Sequence, residues 1–265
     1  MDNVLEIKNL GKNYGDFRLK DVSFSVPRGY IMGLIGPNGA GKTTIIKLIL
    51  NLIRRDGGDI RTFGLDNVKD EAAVKSRIGF VHDTPFFYER LRLKTIGAQI
   101  APFYKDWDEA LFHKLIAEFG LPPKKIFATL SRGMKMKFAL ALALSHKADL
   151  ILLDEPTSGL DPVFRRELLT RLQGLIQDEK KSVLFSTHIT SDLEKIADYV
   201  TFIRNGEIVF SSAMDETLAA WSVVKGGHEL LTEDNRRFFK GFRRREFGFE
   251  ALTDNTAEAK RRFGG

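Results

Sequence analysis

Several groups of residues in this chain have types and spacings that could do chemistry. The first is Gly36 to Thr43, "GPNGAGKT", which satisfies the phosphate-binding pattern G-x-x-x-x-G-K-[ST]. Glycines let the backbone bend until successive N–H groups face phosphate oxygens, and a helix opening at the loop adds partial positive charge. Lys42 brings an ammonium to the β- and γ-phosphates of a nucleoside triphosphate, and Thr43 offers a hydroxyl to Mg²⁺. The other reading is a glycine-rich turn without a ligand. The pattern arises by chance about once in a hundred chains of this length, so the ligand-binding reading is preferred.

The remaining groups are acids and a histidine that close apolar runs. Asp154 and Glu155 follow Leu150–Leu153. An acid ending a buried strand loses hydration unless something compensates it, and Mg²⁺ shared with Thr43 would do so. Glu155 is placed to polarise a water for in-line attack on a γ-phosphate, a loop or capping glutamate being the alternative. His188 follows Val183–Phe185 and the pair Ser186-Thr187; taken alone, a satisfied core histidine is the plainer reading. Asp83, in "GFVHDTPF", is a turn former, a metal ligand or one wall of an active site.

Four elements must position these groups. Ile31–Ile35, Ile78–Val81, Leu150–Leu153 and Val183–Phe185 are short apolar runs flanked by segments of helical period. Strands buried on both faces of a parallel sheet read this way, so an α/β fold is expected. In open parallel sheets the ligand crevice lies outside the carboxyl ends of the strands. The loop, Asp83, Asp154-Glu155 and His188 all fall at such ends. The first thirty residues alternate in shorter pieces, which suggests a small antiparallel sheet. Between about Leu91 and Lys147 helical signals dominate; in "DWDEALFHKLIAEFG", Asp106 is expected to cap a helix and Gly120 to end it. This predicts a helical insertion within the α/β core.

From about Ser211 the pattern turns irregular, which places a boundary near 215 and leaves 216–265 as an accessory segment. Residues 236–245, "RRFFKGFRRR", carry six basic residues and no acid, but from 211 onward ten Lys or Arg face nine Asp or Glu. The tail is therefore close to neutral. It reads as a small subdomain with solvated arginines or a basic patch for anionic lipid head groups, ahead of a strand-stacking nucleic-acid surface.

Composition sets the outer limits. With 265 residues and 43% hydrophobic content the chain can bury a sizeable core. The absence of cysteine excludes disulfides and thiolate metal sites. A net charge of +6 permits an acidic partner, with a solvated basic surface as the plainer reading. The run Phe138–Leu144 is far short of the roughly 18 to 20 residues of a membrane span. The start shows no basic segment followed by an apolar one, so a cytoplasmic location is expected.

Taken in order, the motifs resemble those of the ATP-binding subunit of an ABC transporter, over residues 4–212. "GPNGAGKTT" is similar to Walker A, "LILLDEP" to Walker B, "SGLDP" (Ser158–Pro162) to the D-loop and "STH" to the switch-histidine motif. The resemblance implies a P-loop NTPase core with an N-terminal antiparallel β subdomain and an inserted helical subdomain at about 91–147. It also implies a Mg²⁺-dependent ATPase in which Gly36, Pro37, Asn38, Gly39, Ala40, Gly41, Lys42, Thr43 and Thr44 hold ATP. Thr43, Asp83 and Asp154 would hold the metal, Glu155 would act as base and His188 would contact the γ-phosphate. Tyr14, in "KNYG", sits where the family stacks an aromatic ring on adenine, edge-strand packing being the alternative.

"LSRGM", Leu130–Met134, is similar to the signature LSGGQ, with Arg132 and Met134 as departures. On its own physics, Ser131 caps an Ala/Leu-rich helix, Met134–Leu144, whose free N–H groups form an anion site or simply a capped core helix. The resemblance implies that Ser131 and Gly133 reach the γ-phosphate held by a second subunit, and that Asp161 relays between subunits. Two subunits, identical or different, would close head to tail on two ATP molecules and drive an integral membrane permease from its cytoplasmic face. Asp83 stands where the family carries a glutamine; a carboxylate can still serve a hard metal. Phe86, Phe87 and Tyr88 form either a socket for the permease or core packing. "FGFEALTD" resembles the tails of ABC-2-type exporter ATPases, which points to export. Two rivals remain: a nontransport ABC protein acting on ribosomes or nucleic acid, and a weakly active partner in a heterodimer. The first usually carries a second cassette or a long coiled coil, and neither is present, so nucleic acid is not the expected partner.

Overall fold

The computed structural model describes residues 2–263. The chain runs through β1 (Asn3–Asn13), β2 (Arg18–Pro27), β3 (Ile31–Ile35), α1 (Lys42–Ile49), β4 (Gly57–Thr62), β5 (Leu65–Asp66), α2 (Glu71–Lys75) and β6 (Ile78–Val81). Three helices follow with no strand between them: α3 (Leu93–Ile100), α4 (Glu109–Glu118) and α5 (Arg132–Leu144). The chain then returns to alternation in β7 (Leu150–Asp154), α6 (Pro162–Leu175), β8 (Ser182–Thr187), α7 (Thr190–Ile196), β9 (Tyr199–Arg204) and β10 (Glu207–Ala213). Two compact units meet between Ser211 and Ser212.

In the first unit, six strands form one sheet in the order β10-β9-β3-β8-β7-β6. β3, β6, β7 and β8, the four apolar runs of the sequence, pair in parallel. Every residue of β7 and β8 is buried, as expected where helices cover both faces. The register places Ile35 opposite Thr187, Asp154 opposite Ser186 and Val81 opposite Leu153. That alignment brings the ends of four strands to one edge. A second sheet, β2-β1-β4-β5, is antiparallel and shares a core with β3 and α1 through residues such as Leu5, Val22, Leu34 and Ile45.

The helices between β6 and β7 are tied together by aromatic rings. Phe138 of α5 meets Phe87, Phe112 and Phe127 at centroid distances of 5.5, 6.4 and 5.9 Å. α4 begins two residues later than expected: its cap is Asp108, not Asp106, and Asp108 Oδ1 accepts from Leu111 N at 2.8 Å. The reason is tertiary, since Asp108 N–H donates to Ser145 O at 2.7 Å and so anchors the helix start to the end of α5. Gly120 follows the helix with φ of +63°.

The second unit contains α8 (Met214–Ala220), β11 (Ser222–Gly226), α9 (Glu233–Phe238), β12 (Gly241–Arg245), β13 (Gly248–Thr253) and α10 (Thr256–Phe263). Its strands make an antiparallel sheet in the order β11-β13-β12. One face packs Val224, Phe249 and Ala251 against Leu231, Phe239 and Ala259. The other carries Lys225, Arg243 and Arg245 around Glu250, and the hydrogen bonds from Arg243 and Arg245 hold the Glu250 carboxyl down at about 2. The tail thus pairs its basic residues with an acid of its own.

Candidate active site

The loop from Gly36 to Lys42 joins the end of β3 to the start of α1. Two glycines are required by its geometry. Gly41 caps α1 with φ of +114°, and a Cβ there would lie 2.6 Å from Leu19 Cδ2. At Gly36 a Cβ would come within 2.3 Å of Ile203 O, a backbone atom with no room to give. The loop borders a cavity of about 470 Å³ whose lining includes Asn38 to Thr44, Asp83, Glu155 and Phe17.

Lys42 is buried, donates to Gly36 O at 2.7 Å and to Pro37 O at 3.2 Å, and pairs with Glu155 Oε1 at 3.1 Å. That oxygen is buried without a hydrogen bond of acceptable geometry, so its contact with Lys42 is an ionic one. Glu155 Oε2 lies 2.8 Å from His188 Nδ1 and also accepts weakly from His188 N–H at 3.4 Å. Glu155 sits at φ of +48°. Such a conformation costs a non-glycine residue about 1–3 kcal/mol. It turns the chain out of β7, where the carboxylate is held between an ammonium and an imidazole.

Next to this clamp, Thr43 Oγ1 donates to Asp154 Oδ2 at 2.8 Å, and Ser186 Oγ donates to Asp154 Oδ1 at 2.6 Å. Asp154 is only 1% exposed. Ligand atoms of His82, Asp83 and Asp154 lie within 4.8 Å of one another. The arrangement therefore offers a phosphate cradle, a buried ammonium, a hydroxyl–carboxylate pair suited to a hard divalent ion, and a second carboxylate positioned against a histidine. Those are the parts needed to move a phosphoryl group to water.

Other candidates lie outside this cavity. Ser131 caps α5 by accepting from Met134 N at 3.3 Å, and the helix begins at Arg132. At Gly133 an added Cβ would make only an ordinary contact, 3.9 Å from Leu160 Cδ2. Asp161 caps α6, accepting from Val163 N at 3.1 Å and Phe164 N at 2.9 Å. The Arg132 guanidinium lies against Gly159, tying "LSRGM" to "SGLDP". Tyr14 is half exposed with the Lys12 ammonium 5.5 Å from its ring centroid, and it does not line the cavity. Phe17, in the same β1–β2 turn, does. Sequence reasoning missed Phe17; its place next to the inward-facing Leu19 was the available signal. Of the aromatics after Asp83, Phe87 packs edge-on against Phe127 and Phe138, while Phe86 and Tyr88 are exposed.

Comparison with known proteins agrees with this geometry. The family model described as ABC transporter matches residues 19–158. A bacitracin transport ATP-binding protein, BcrA of Enterococcus faecalis, is 33% identical over 212 residues, covering 79% of this chain and 69% of the relative.

The chain belongs to the ABC transporter family.

Within it, the ATP-binding protein NatA of Bacillus subtilis is 34% identical over 204 residues, covering 74% of this ABC chain and 82% of the relative. A shorter match, residues 126–191, is to a model described as AAA domain, putative AbiEii toxin, Type IV TA system, and spans the segment from α5 to His188. Among solved structures, one described as the ATP-binding subunit of an ABC transporter is 31% identical with a TM-score of 0.72, covering 81% of this chain and 91% of that one. A dimeric ATP-binding cassette bound to ADP and phosphate is 21% identical with a TM-score of 0.69, covering 79% and 98%, and supports the fold. The protein is thus an ATP-binding subunit of the ABC type, an ATPase whose hydrolysis is coupled to transport. Among the described residues, no helix is long and apolar enough to cross a membrane.

Proposed function

We propose that this subunit hydrolyses Mg²⁺-bound ATP to ADP and phosphate as one of a pair of ATP-binding subunits, and so powers an exporter through a separate integral membrane permease at the cytoplasmic face. The observation that carries the reading is Glu155 held between Lys42 and His188 beside the Thr43–Asp154 pair. The backbone N–H groups of the loop bind the phosphates, and Lys42 exchanges Glu155 for the β- and γ-phosphates. Glu155 then orients a water and takes its proton as the water oxygen attacks the γ-phosphorus. The bond to the bridging oxygen breaks and ADP leaves. His188, at 42% side-chain exposure, is free to contact the γ-phosphate.

Mg²⁺ fits the donor set, because Thr43 and the buried Asp154 supply the hard oxygen ligands it requires. When bound, it neutralises charge developing on the phosphates. Tyr14, exposed in the β1–β2 turn, is assigned the stacking position for the base, with Phe17 lining the cavity beside it. Ser131 and Gly133 face the second subunit's ATP, and Asp161 lies at that junction. The unit that ends at Ser211 serves as the ATPase domain and the unit from Ser212 as an accessory one, a boundary a few residues before the 215 expected from the sequence. Phe86, Tyr88, Ile96, Ile100 and Phe103 line an open apolar groove of about 400 Å³ that serves as the permease socket. Export is supported by the tail "FGFEALTD" and by similarity to proteins named for bacitracin transport.

Two measurements test the proposal. Phosphate release from ATP should fall by about 10²-fold or more in Glu155→Gln while ATP still binds. Purification from native membranes should bring down an integral membrane permease. A chain that returns only ribosomes or DNA is not a transporter subunit.

A further inference from the structure

We propose that the hairpin joining β12 to β13 is a membrane-contact element: Phe247 enters the head-group layer of an anionic phospholipid bilayer, and the arginines around it bind the lipid phosphates. The inference goes beyond the ATPase reading and does not depend on it.

The first observation is the turn. Arg245 pairs with Gly248, so only Glu246 and Phe247 join the two strands. Tight turns take Gly, Asn, Asp or Ser for conformational reasons, and a phenylalanine contributes nothing to the bend. Its ring is left in water. At 88% exposure Phe247 is the most exposed large hydrophobic side chain among the described residues.

The second observation is charge. Residues 236–250 carry six basic residues and two acids. Lys240 pairs with Asp254, and Arg243 and Arg245 share the one carboxylate of Glu250 with Lys225. Arg236, Arg237 and Arg244 are exposed and, among the described residues, have no carboxylate partner. Side chains alternate along a strand, so Arg244 stands on the face opposite Arg243 and Arg245. The hairpin therefore carries uncompensated positive charge on both sides of its exposed ring.

The third observation separates a lipid surface from other polyanions. Single-stranded nucleic acid is held by several rings on which successive bases stack. Here Phe238 and Phe239 pack on Phe263 at centroid distances of 6.0 and 5.4 Å, and Phe239 also meets Phe249 at 5.6 Å. Phe242 lies under the Arg236 guanidinium, 5.5 Å from its centroid. No run of free rings remains in this segment for bases to stack on. A lone apolar tip among arginines matches a bilayer interface instead, where the ring reaches the acyl boundary and the guanidiniums extend to the phosphates.

Flotation of the full-length, nucleotide-free protein with vesicles tests this, using phosphatidylcholine alone and an equal mixture of phosphatidylcholine and phosphatidylglycerol. The natural chain is expected to bind the anionic vesicles at least about tenfold more tightly than the neutral ones, and less tightly as salt is raised. Arg237→Gln combined with Arg244→Gln should weaken anionic-vesicle binding by about tenfold or more. Phe247→Ser should weaken it by about fivefold or more while leaving its salt dependence unchanged, which a purely electrostatic contact would not do. Circular dichroism checks that the variants are folded. A second readout is Phe247→Trp, whose fluorescence should gain a component, beyond that of Trp107 and Trp221, that shifts to the blue on the anionic vesicles. The inference is overturned if the natural chain ignores anionic vesicles, if a folded Phe247→Ser chain keeps the natural affinity, or if the Phe247→Trp emission does not shift. It is overturned equally if a single-stranded DNA oligonucleotide binds more tightly than the vesicles and is weakened by the same substitutions.

Discussion

At the scale of single residues, the site works by holding opposite charges apart from water until a phosphate arrives. Asp83 is the residue whose chemistry differs most from the glutamine of the family pattern. Asp83→Asn removes a charge facing the buried Asp154, and should raise the Mg²⁺ concentration needed for half-maximal phosphate release and lower the rate; an unchanged Mg²⁺ dependence would remove Asp83 from the metal. His146 governs a different response. It is buried, stacks on Tyr104 at 3.9 Å and has an unpaired Nδ1, and burial pushes its pKa below the usual value. The unfolded chain therefore takes up a proton that the folded one refuses. Stability is full above the ordinary histidine value of about 6.5 and falls as pH drops below it. Between about pH 7 and pH 5 the melting temperature of the natural chain should fall more than that of His146→Phe, which keeps the stack but cannot titrate. The loop, Asp154, Glu155 and His188 were legible in the sequence because each closes an apolar run. Phe17 and the buried His146 were not, because a single aromatic or histidine has no periodicity to announce where it points.

At the scale of elements, the parallel strands were legible because they are covered on both faces and read as unbroken apolar runs. The strands of the tail were hidden for the opposite reason. "GFRRR" shows no buried residue at all, and β11 and β13 are each broken by a charged residue, Lys225 and Glu250, so no long apolar run marks them. The cap of α4 moved to Asp108 because a contact with Ser145, distant in sequence, outweighed the local preference at Asp106. The segment after β6 divides within three residues. Phe87→Ala should destabilise the fold by about 2–3 kcal/mol in chemical denaturation, since it removes a ring wedged against Phe127 and Phe138. Phe86→Asp should leave the melting temperature within a degree or so of the natural chain yet reduce permease-dependent transport, because its ring is 79% exposed. A Phe86→Asp chain that unfolds would place that ring in the core instead.

At the scale of the whole molecule, each of the two units has its own buried cluster, Leu5 to Ile203 in the first and Val224 to Ala259 in the second. Ending the chain after Ser211 should therefore leave a cooperatively folding protein that binds ATP with little change in affinity, as measured by thermal melting and nucleotide titration. Loss of cooperative melting would show that the units share stability. Strand order adds a mechanical consequence. β3, β7 and β8 each have a neighbour on both sides, but β6 is the last strand and is paired only to β7. The two sides of the nucleotide cavity are accordingly supported unequally: Asp154 ends a strand hydrogen-bonded on both sides, while Asp83 follows an edge strand hydrogen-bonded on one. The chain that carries Asp83 out of the nucleotide cavity runs within five residues into the exposed Phe86 and Tyr88, so the inner cavity and the outer groove share one short segment.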